Sequence, residues 1–443
     1  MRHKINPDMQ KVTVFWFRRD LRLHDNKGLL HALKSAFPVV PLFIFDPDIL
    51  SKLTDPADKR VSIIYHLLED INRTLTQKQS SLLVMYGKPE EVFSQLTTRF
   101  QIMEVHTNHD YEPYAVARDQ QIATLLQKKE IPFFTYKDQV IFEKDDIVKK
   151  DGKPYTVFTP YSRTWKSRLT PDDLREWPSE NLLHHFFCHQ TFDFPPLSLA
   201  GFTESGTRLA RNEINPEVIK NYDQTRNFPA LQQGTSQMSV HLRFGTVSIR
   251  HLVKQALELN DTWLGELIWR EFFMMILFSF PHVVSKSFKP KYDRIAWRND
   301  EKEFDLWCRG ETGYPMVDAG MKELNSTGLM HNRVRMVTAS FLTKHLLIDW
   351  RWGEAYFAEK LLDYELSSNN GNWQWASGSG CDAAPYFRIF NPEEQQKRFD
   401  PDGIYIQKWL GPDWQQTIPP PIVDHRMARE RALKVYGEAL REE

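Results

Sequence analysis

Val12-Thr13-Val14-Phe15-Trp16-Phe17 is a short apolar run that turns at once into Arg18-Arg19-Asp20-Leu21-Arg22. A run of this length, apolar on both faces, reads as a buried β-strand. The charged turn after the strand narrows the fold further. A dinucleotide fold would place G-x-G-x-x-G here, and this chain places three arginines and an aspartate instead, which disfavours a nicotinamide dehydrogenase. Working outward, Val39–Phe45, Ser81–Tyr86, Ile102–Asn108 and Ile131–Tyr136 read as further short strands. Helical stretches lie between them near Lys27–Ser35, Val61–Lys78, Glu90–Phe100 and Ala115–Lys128. Strand-helix alternation at this spacing predicts a parallel, doubly wound α/β sheet over residues 1–137.

Past Asp138 the alternation stops. Residues 138–203 mix Pro, Trp and charged residues without a period and read as an interdomain connector. From 204 to 443 strand signals nearly vanish, so the second domain is expected to be all α, ending in a charged helix over Val423–Glu443. The length of 443 residues also favours two domains.

Formal net charge is −1, so any nucleic-acid site must be a local basic patch rather than a whole-molecule field. Three cysteines, at 188, 308 and 381, are too scattered for a disulfide framework, which points to a reducing, cytoplasmic compartment. His184, His185, Cys188 and His189 cluster, but without a second ligand pair no metal site is expected. Met1–Gln10 carries no apolar signal core, and the longest apolar stretch, Phe272–Phe280, is too short to span a bilayer, so no membrane partner is expected.

Several segments could carry chemistry. Thr235-Ser236-Gln237-Met238-Ser239 precedes a helical run, where hydroxyls and free N–H groups suit an anion, with Tyr222 and Arg226 just upstream. Glu266 and Trp269 are three apart on an apolar helix and share a face, so a carboxylate and a stacking ring can meet one base. The plainer expectation is an ion pair between Glu266 and Arg270, four apart. Asn332 and Met336 also share a face, and Arg333 and Arg335 between them suit phosphate or a buried carboxylate. In Leu362-Asp363-Tyr364-Glu365-Leu366-Ser367-Ser368-Asn369-Asn370-Gly371-Asn372-Trp373-Gln374-Trp375, the two tryptophans stand about 200° apart around a helix. One can face a cavity while the other faces the core.

Together with Gly310-Glu311-Thr312-Gly313-Tyr314-Pro315 and Asp382-Ala383-Ala384-Pro385-Tyr386-Phe387-Arg388-Ile389-Phe390-Asn391-Pro392, these segments resemble the photolyase/cryptochrome family, and most closely its class I cyclobutane pyrimidine dimer photolyases. The resemblance runs nearly the whole chain. It implies a U-shaped FAD in the helical domain, with Tyr222 and Thr235 to Ser239 at the phosphates and ribityl chain. Asn369 would sit at flavin N5, and Asp363 would pair with Arg335 beside the ring. Glu365 stands where members usually carry a second, shorter Asp.

The implied reaction is light-driven and reductive. Excited, fully reduced FAD gives one electron to a dimer flipped out of damaged DNA, the cyclobutane ring opens, and the electron returns. The resemblance gives Glu266 the dimer's hydrogen bond, Trp269 and Trp375 the aromatic walls, and Asn332 and Met336 a packing contact. It makes Trp373, Trp350 and Trp297 an electron path and Arg226, Arg333 and Arg388 the phosphate grip. A monomer suffices for such work.

Members with a folate antenna tend to carry Asn-Glu where this chain has Pro113-Tyr114-Ala115. Its Glu112-Pro113-Tyr114 is nearer to deazaflavin-using relatives, and a deazaflavin, a folate, a second flavin or an empty site all stay open. Leu329 replaces a Trp common before Met-His-Asn-Arg. The alternative function is a cryptochrome, a blue-light receptor without repair. Glu266, Trp269, Met336, Trp375 and the lack of a long tail favour repair. An ordinary flavin oxidoreductase has no substrate motif here.

Overall fold

The computed structural model describes residues 9–210 and 212–441; the first eight residues of the N-terminal stretch and the last two of the chain fall outside it. Two compact units are built from interleaved pieces of chain. One comprises Met1–Glu143, Leu169–Glu213 and Met238–Gln255, the other Lys144–Arg168, Ile214–Gln237 and Ala256–Glu443. The stretch expected to connect the domains is therefore shared between them.

The first unit holds a five-stranded sheet: β1 (Lys11–Phe17), β2 (Val39–Phe45), β3 (Leu83–Tyr86), β4 (Gln101–Asn108) and β5 (Phe133–Tyr136). All pairs are parallel and the order is β3-β2-β1-β4-β5. The crossover helices are α1 (Lys27–Leu33), α2 (Lys59–Thr76), α3 (Pro89–Arg99) and α4 (Pro113–Gln127). Side-chain alternation along β1 explains the double winding. Phe15 and Phe17 point into a core with Leu29 of α1 and Leu68 of α2. Val12, Val14 and Trp16 point into another with Phe93 of α3 and Ile122 of α4. A strand apolar on both faces needs a helix layer on each.

The Arg-rich turn after β1 is structural. Asn108 Nδ2 donates to Asp20 at 2.6 Å, and Asn108 Oδ1 takes the Gly28 N–H at 3.0 Å. The N-terminus of α1 is thus closed by a protein side chain, and a Cβ at Gly28 would lie 2.6 Å from that oxygen. Arg22 and Arg250 both reach Asp138, Arg250 at 2.9 Å, and Arg250 also binds Asp25 at 3.0 Å. These groups are buried. Burial would push the Asp138 carboxyl up, but the two guanidinium groups outweigh it and hold it at about 2.

The second unit is helical: α5 (Phe158–Arg168), α6 (Asp261–Ser279), α7 (Pro315–Thr327), α8 (Asn332–Ser340), α9 (Trp350–Lys360), α10 (Leu366–Ser377) and α11 (His425–Leu440), besides further helices such as Glu301–Arg309 and Pro392–Phe399. Its core gathers Met321 and Leu324 of α7, Val334 and Val337 of α8, Phe357 of α9 and Trp373 of α10. Among the described residues no helix is long and apolar enough to cross a membrane.

Asp138→Asn leaves Asp25 to pair with Arg250 and leaves Arg22 with backbone carbonyls only, and its cost is expected to be about 3 kcal/mol at pH 7. A carboxyl held at about 2 stabilises the fold above its unfolded value of about 3.9 and loses that contribution as pH falls toward 2. Urea titrations at pH 7 and pH 3 check both points. The gap between wild type and variant should shrink at the lower pH.

Candidate functional site

Between α8 and α10 the helical unit sets a buried polar group against the apolar core. Arg335 on α8 donates through Nη2 to both oxygens of Asp363, at 3.2 and 2.8 Å, and through Nε to the Met330 carbonyl. The Asp363 side chain is 4 % exposed, so the guanidinium is the partner that makes its burial tolerable. Two residues on, Glu365 precedes α10. Its carboxylate lies 3.5 Å from Arg270 of α6 and accepts from the Ser368 hydroxyl at 3.1 Å. One and two turns further along, Asn369 is buried and donates to the Glu354 carbonyl of α9 at 3.0 Å, and Trp373 enters the core.

Glu354 carries no signal in the sequence, where it reads as one of two carboxylates on α9. Burial pushes its carboxyl up to about 7, against the hydrogen bond from Asn369. The donor set of this pocket suits a flavin. A fixed guanidinium, a carboxamide and carboxyl groups gather at the start of α10, where the buried Ser367 hydroxyl has no hydrogen-bond partner among the described residues.

A second group lies along α6. The expected pair between Glu266 and Arg270 does not form among the described residues. Glu266 binds Arg226 instead, and Arg270 turns to Glu365. The reason is tertiary: the short helix Tyr222–Thr225 brings Arg226 to α6, where it closes on a half-buried carboxylate that a helix neighbour would meet only at the surface. Burial raises the Glu266 carboxyl, and Arg226 opposes the rise. Tyr222 lies under the Arg226 guanidinium, 5.5 Å from ring to cation. Trp269 shares the α6 face with Glu266 and is half-buried. Its ring is stacked by Phe158 of α5 at 3.7 Å.

A third group is basic. Arg333 donates to Asn227 at 2.6 Å and lies over Phe399 at 4.3 Å. It shares a cavity of about 190 Å³ with Asn227, Arg388, Arg398 and the rings of Phe390 and Phe399. Burial and the neighbouring Arg226, Arg398 and Arg388 all lower the Arg333 guanidinium's hold on its proton. Arg398, absent from the expected set, looks in the sequence like an ordinary last-turn cation of the helix Pro392–Phe399. At the start of α8, exposed Asn332 and half-buried Met336 lie one turn apart. The half-buried His331 accepts the Arg333 N–H and is pushed down to about 4 by desolvation and by the arginines around it.

The tryptophans divide as the 200° spacing requires: Trp373 is buried and Trp375 is half-buried. Trp373 meets Phe357 edge-on at 5.0 Å and Trp307 at 6.1 Å. Its ring lies on Gly353, where a Cβ would come within 2.1 Å. Trp350 is buried in the same core, and Trp297 packs against that core and against Tyr436 at 5.9 Å.

The expected anion segment is less regular than its hydroxyls suggested. The helix begins only at Ser239 and runs six residues, Met238 offers no side-chain cap, and Gln237 has φ of 55°. The boundary between units falls between Gln237 and Met238, so Thr235, Ser236 and Gln237 belong to the helical unit and Met238 and Ser239 to the sheet unit. In the sheet unit, Glu112 binds Arg19 at 3.0 Å and the Tyr114 hydroxyl binds Asp46.

A carboxyl raised to about 7 stabilises the fold below its unfolded value of about 4.3 and loses that contribution as pH rises through 7. Glu354→Gln removes this titration. Urea unfolding should show wild-type stability declining by about 2 kcal/mol from pH 4.5 to 8 relative to the variant.

Two family models match the chain, DNA photolyase over residues 13–180 and the FAD binding domain of DNA photolyase over residues 263–416. The deoxyribodipyrimidine photo-lyase of a Synechococcus species is 35 % identical over 97 % of this chain and 97 % of its own. A bacterial class III photolyase from Agrobacterium tumefaciens, 31 % identical, superposes over 99 % of both chains with a TM-score of 0.86. An archaeal photolyase from Sulfolobus tokodaii, solved with two FAD molecules, is 31 % identical and covers 96 % of this chain and 100 % of its own, with a TM-score of 0.79. A parallel sheet followed by a helical flavin pocket, matched end to end at this identity, places the chain in the DNA photolyase family.

Proposed function

We propose that this chain is a deoxyribodipyrimidine photo-lyase that uses blue light to split cyclobutane pyrimidine dimers in DNA. One observation carries the reading: α6 serves two places at once. Glu266 and Trp269 form a half-exposed hydrogen-bonding and stacking face, while Arg270, in the next position, reaches Glu365 at the head of the helix that bears Asn369. A lesion held on the first face is then held beside the pocket on the second.

Bound, fully reduced FAD would supply one electron to the dimer in light and take it back after ring opening. The chain's own residues do the rest. Arg333, Arg388 and Arg398 grip phosphates flanking the flipped dinucleotide, which relieves their mutual repulsion. Arg226 leaves Glu266 to join them, freeing the carboxyl to hydrogen-bond the dimer and steady the charge that develops on it. Trp269 and Trp375 wall the dimer, and Asn332 and Met336 close the remaining side. Arg335, Asp363, Glu365 and Asn369 hold the isoalloxazine, and Tyr222 with Thr235, Ser236 and Gln237 holds the phosphate arm. Trp373, Trp350 and Trp297 carry electrons inward to restore the reduced cofactor.

A light-harvesting chromophore is assigned to the sheet unit, of deazaflavin, folate or flavin class; the two FAD molecules of the Sulfolobus tokodaii relative favour a flavin. The enzyme acts as a monomer on damaged DNA in the cytoplasm.

The test is repair. Protein with FAD and reductant is illuminated with a thymine-dimer oligonucleotide, and restored thymine is quantified against a dark control. Light-dependent restoration is expected, reduced roughly 10-fold or more in Glu266→Ala, the loss of one hydrogen bond to a charged group. No restoration, with FAD bound and photoreducible, would move the chain to the cryptochrome reading.

Binding to dimer-containing duplex should also weaken as salt rises. Arg388→Ala and Arg398→Ala should each reduce the slope of log K against log salt by about 1. Filter-binding at several salt concentrations measures it.

A further inference from the structure

Phe158 opens α5, in the stretch that reads from sequence as a connector, yet its ring lies on Trp269 with centroids 3.7 Å apart and planes 5° from parallel. Free aromatic pairs prefer an offset or edge-on arrangement at longer spacing. A near-eclipsed sandwich therefore has to be held by its surroundings, and α5 is held along its length. The Phe158 N–H donates to Asp382 at 3.0 Å. Tyr161 packs on the fully buried Phe272 at 5.2 Å, and Phe158 meets the same ring edge-on at 5.9 Å. One turn later Trp165 Nε1 donates to Glu271 at 2.6 Å, both side chains buried, and Lys166 pairs with Asp261. A ring anchored at this many points cannot swing aside to admit a base.

We propose that Phe158 is a positioning residue for lesion recognition: a fixed platform behind Trp269 that, with Phe273 stacked on the same indole at 5.4 Å and 30°, sets the ring plane that a flipped pyrimidine dimer meets. The inference rests on the photolyase reading above and deepens it. Stacking on an indole discriminates only if the ring keeps its plane when the base pair is lost from the duplex, and the platform fixes that plane. Asp382 extends the effect. It lies in the loop after α10 that carries Arg388, so one carboxylate ties the aromatic wall to a phosphate-gripping arm.

The platform makes a prediction that separates it from simple packing. It should act on the difference between damaged and undamaged DNA and leave general DNA affinity alone. The experiment measures dissociation constants for a duplex with one thymine dimer and for the same duplex undamaged. The proteins are wild type, Phe158→Leu, Phe158→Ala and Phe158→Tyr, each loaded with FAD and accepted as folded only if its flavin absorption matches wild type. Leucine keeps the apolar volume without the flat face. Phe158→Leu and Phe158→Ala should lose roughly threefold to tenfold in dimer affinity, with undamaged-duplex affinity unchanged, and Phe158→Tyr should restore the wild-type ratio.

Equal loss on both duplexes, or an unchanged ratio in both non-aromatic variants, overturns the platform. Tighter dimer binding in Phe158→Ala also overturns it, because the ring would then be occupying the lesion's place. A wild-type protein that fails to discriminate the two duplexes overturns the photolyase reading itself, and the platform with it.

Discussion

The helical unit depends on how closely α6 and α10 approach each other. Gly371 on α10 lies against Phe273 on α6 so tightly that a Cβ would come within 2.2 Å of the ring. Around that contact the polar groups are satisfied across the interface. Asn370 and Gln374 both donate to the Val283 carbonyl just beyond α6, and Arg270 meets Glu365. A close backbone approach leaves little room for water, so Asn370, Gln374 and Arg270 take protein partners there. The consequence is functional. Glu266 and Trp269 on one helix are held at a set spacing from Asn369 and Trp373 on the other, and the two halves of the proposed chemistry cannot drift apart.

Charge is the second constraint. A chain with net charge −1 that must hold a polyanion concentrates its cations and accepts their repulsion. Arg333, Arg388 and Arg398 share one small cavity, with aromatic rings rather than carboxylates between them. Arg226 nearby is neutralised by Glu266. In the sheet unit the same residue type does the opposite work. Arg22 and Arg250 are fully matched by Asp138 and Asp25, and their task is to hold the turn after β1.

Much of this was legible in the sequence, for physical reasons that also mark where legibility stopped. The strands were readable because a parallel strand buried on both faces is a continuous apolar run. Trp373 and Trp375 were readable because helical periodicity alone separates their faces. The Arg335–Asp363 pair came with the family resemblance. The failures are tertiary. Arg226 displaced Arg270 as the partner of Glu266 from 40 positions away, and no local spacing encodes that. Phe158 and Trp165 sit in an aperiodic stretch, and their partners Trp269 and Glu271 lie more than 100 residues on. Arg398 and Glu354 were indistinguishable from surface charges until the fold clustered the first and buried the second. The segment Thr235 to Ser239 reads as an anion site at a helix start, but the helix begins only at Ser239 without a side-chain cap, and Gln237 before it has a positive φ.

The central claim is that α6 and α10 hold a dimer within electron-transfer reach of a reduced flavin. Time-resolved fluorescence of the protein loaded with fully reduced FAD tests it most directly, with and without a dimer-containing oligonucleotide. The account predicts a shortened flavin lifetime when the dimer is bound and an unchanged one with the undamaged oligonucleotide. A lifetime unaffected by saturating dimer would contradict it.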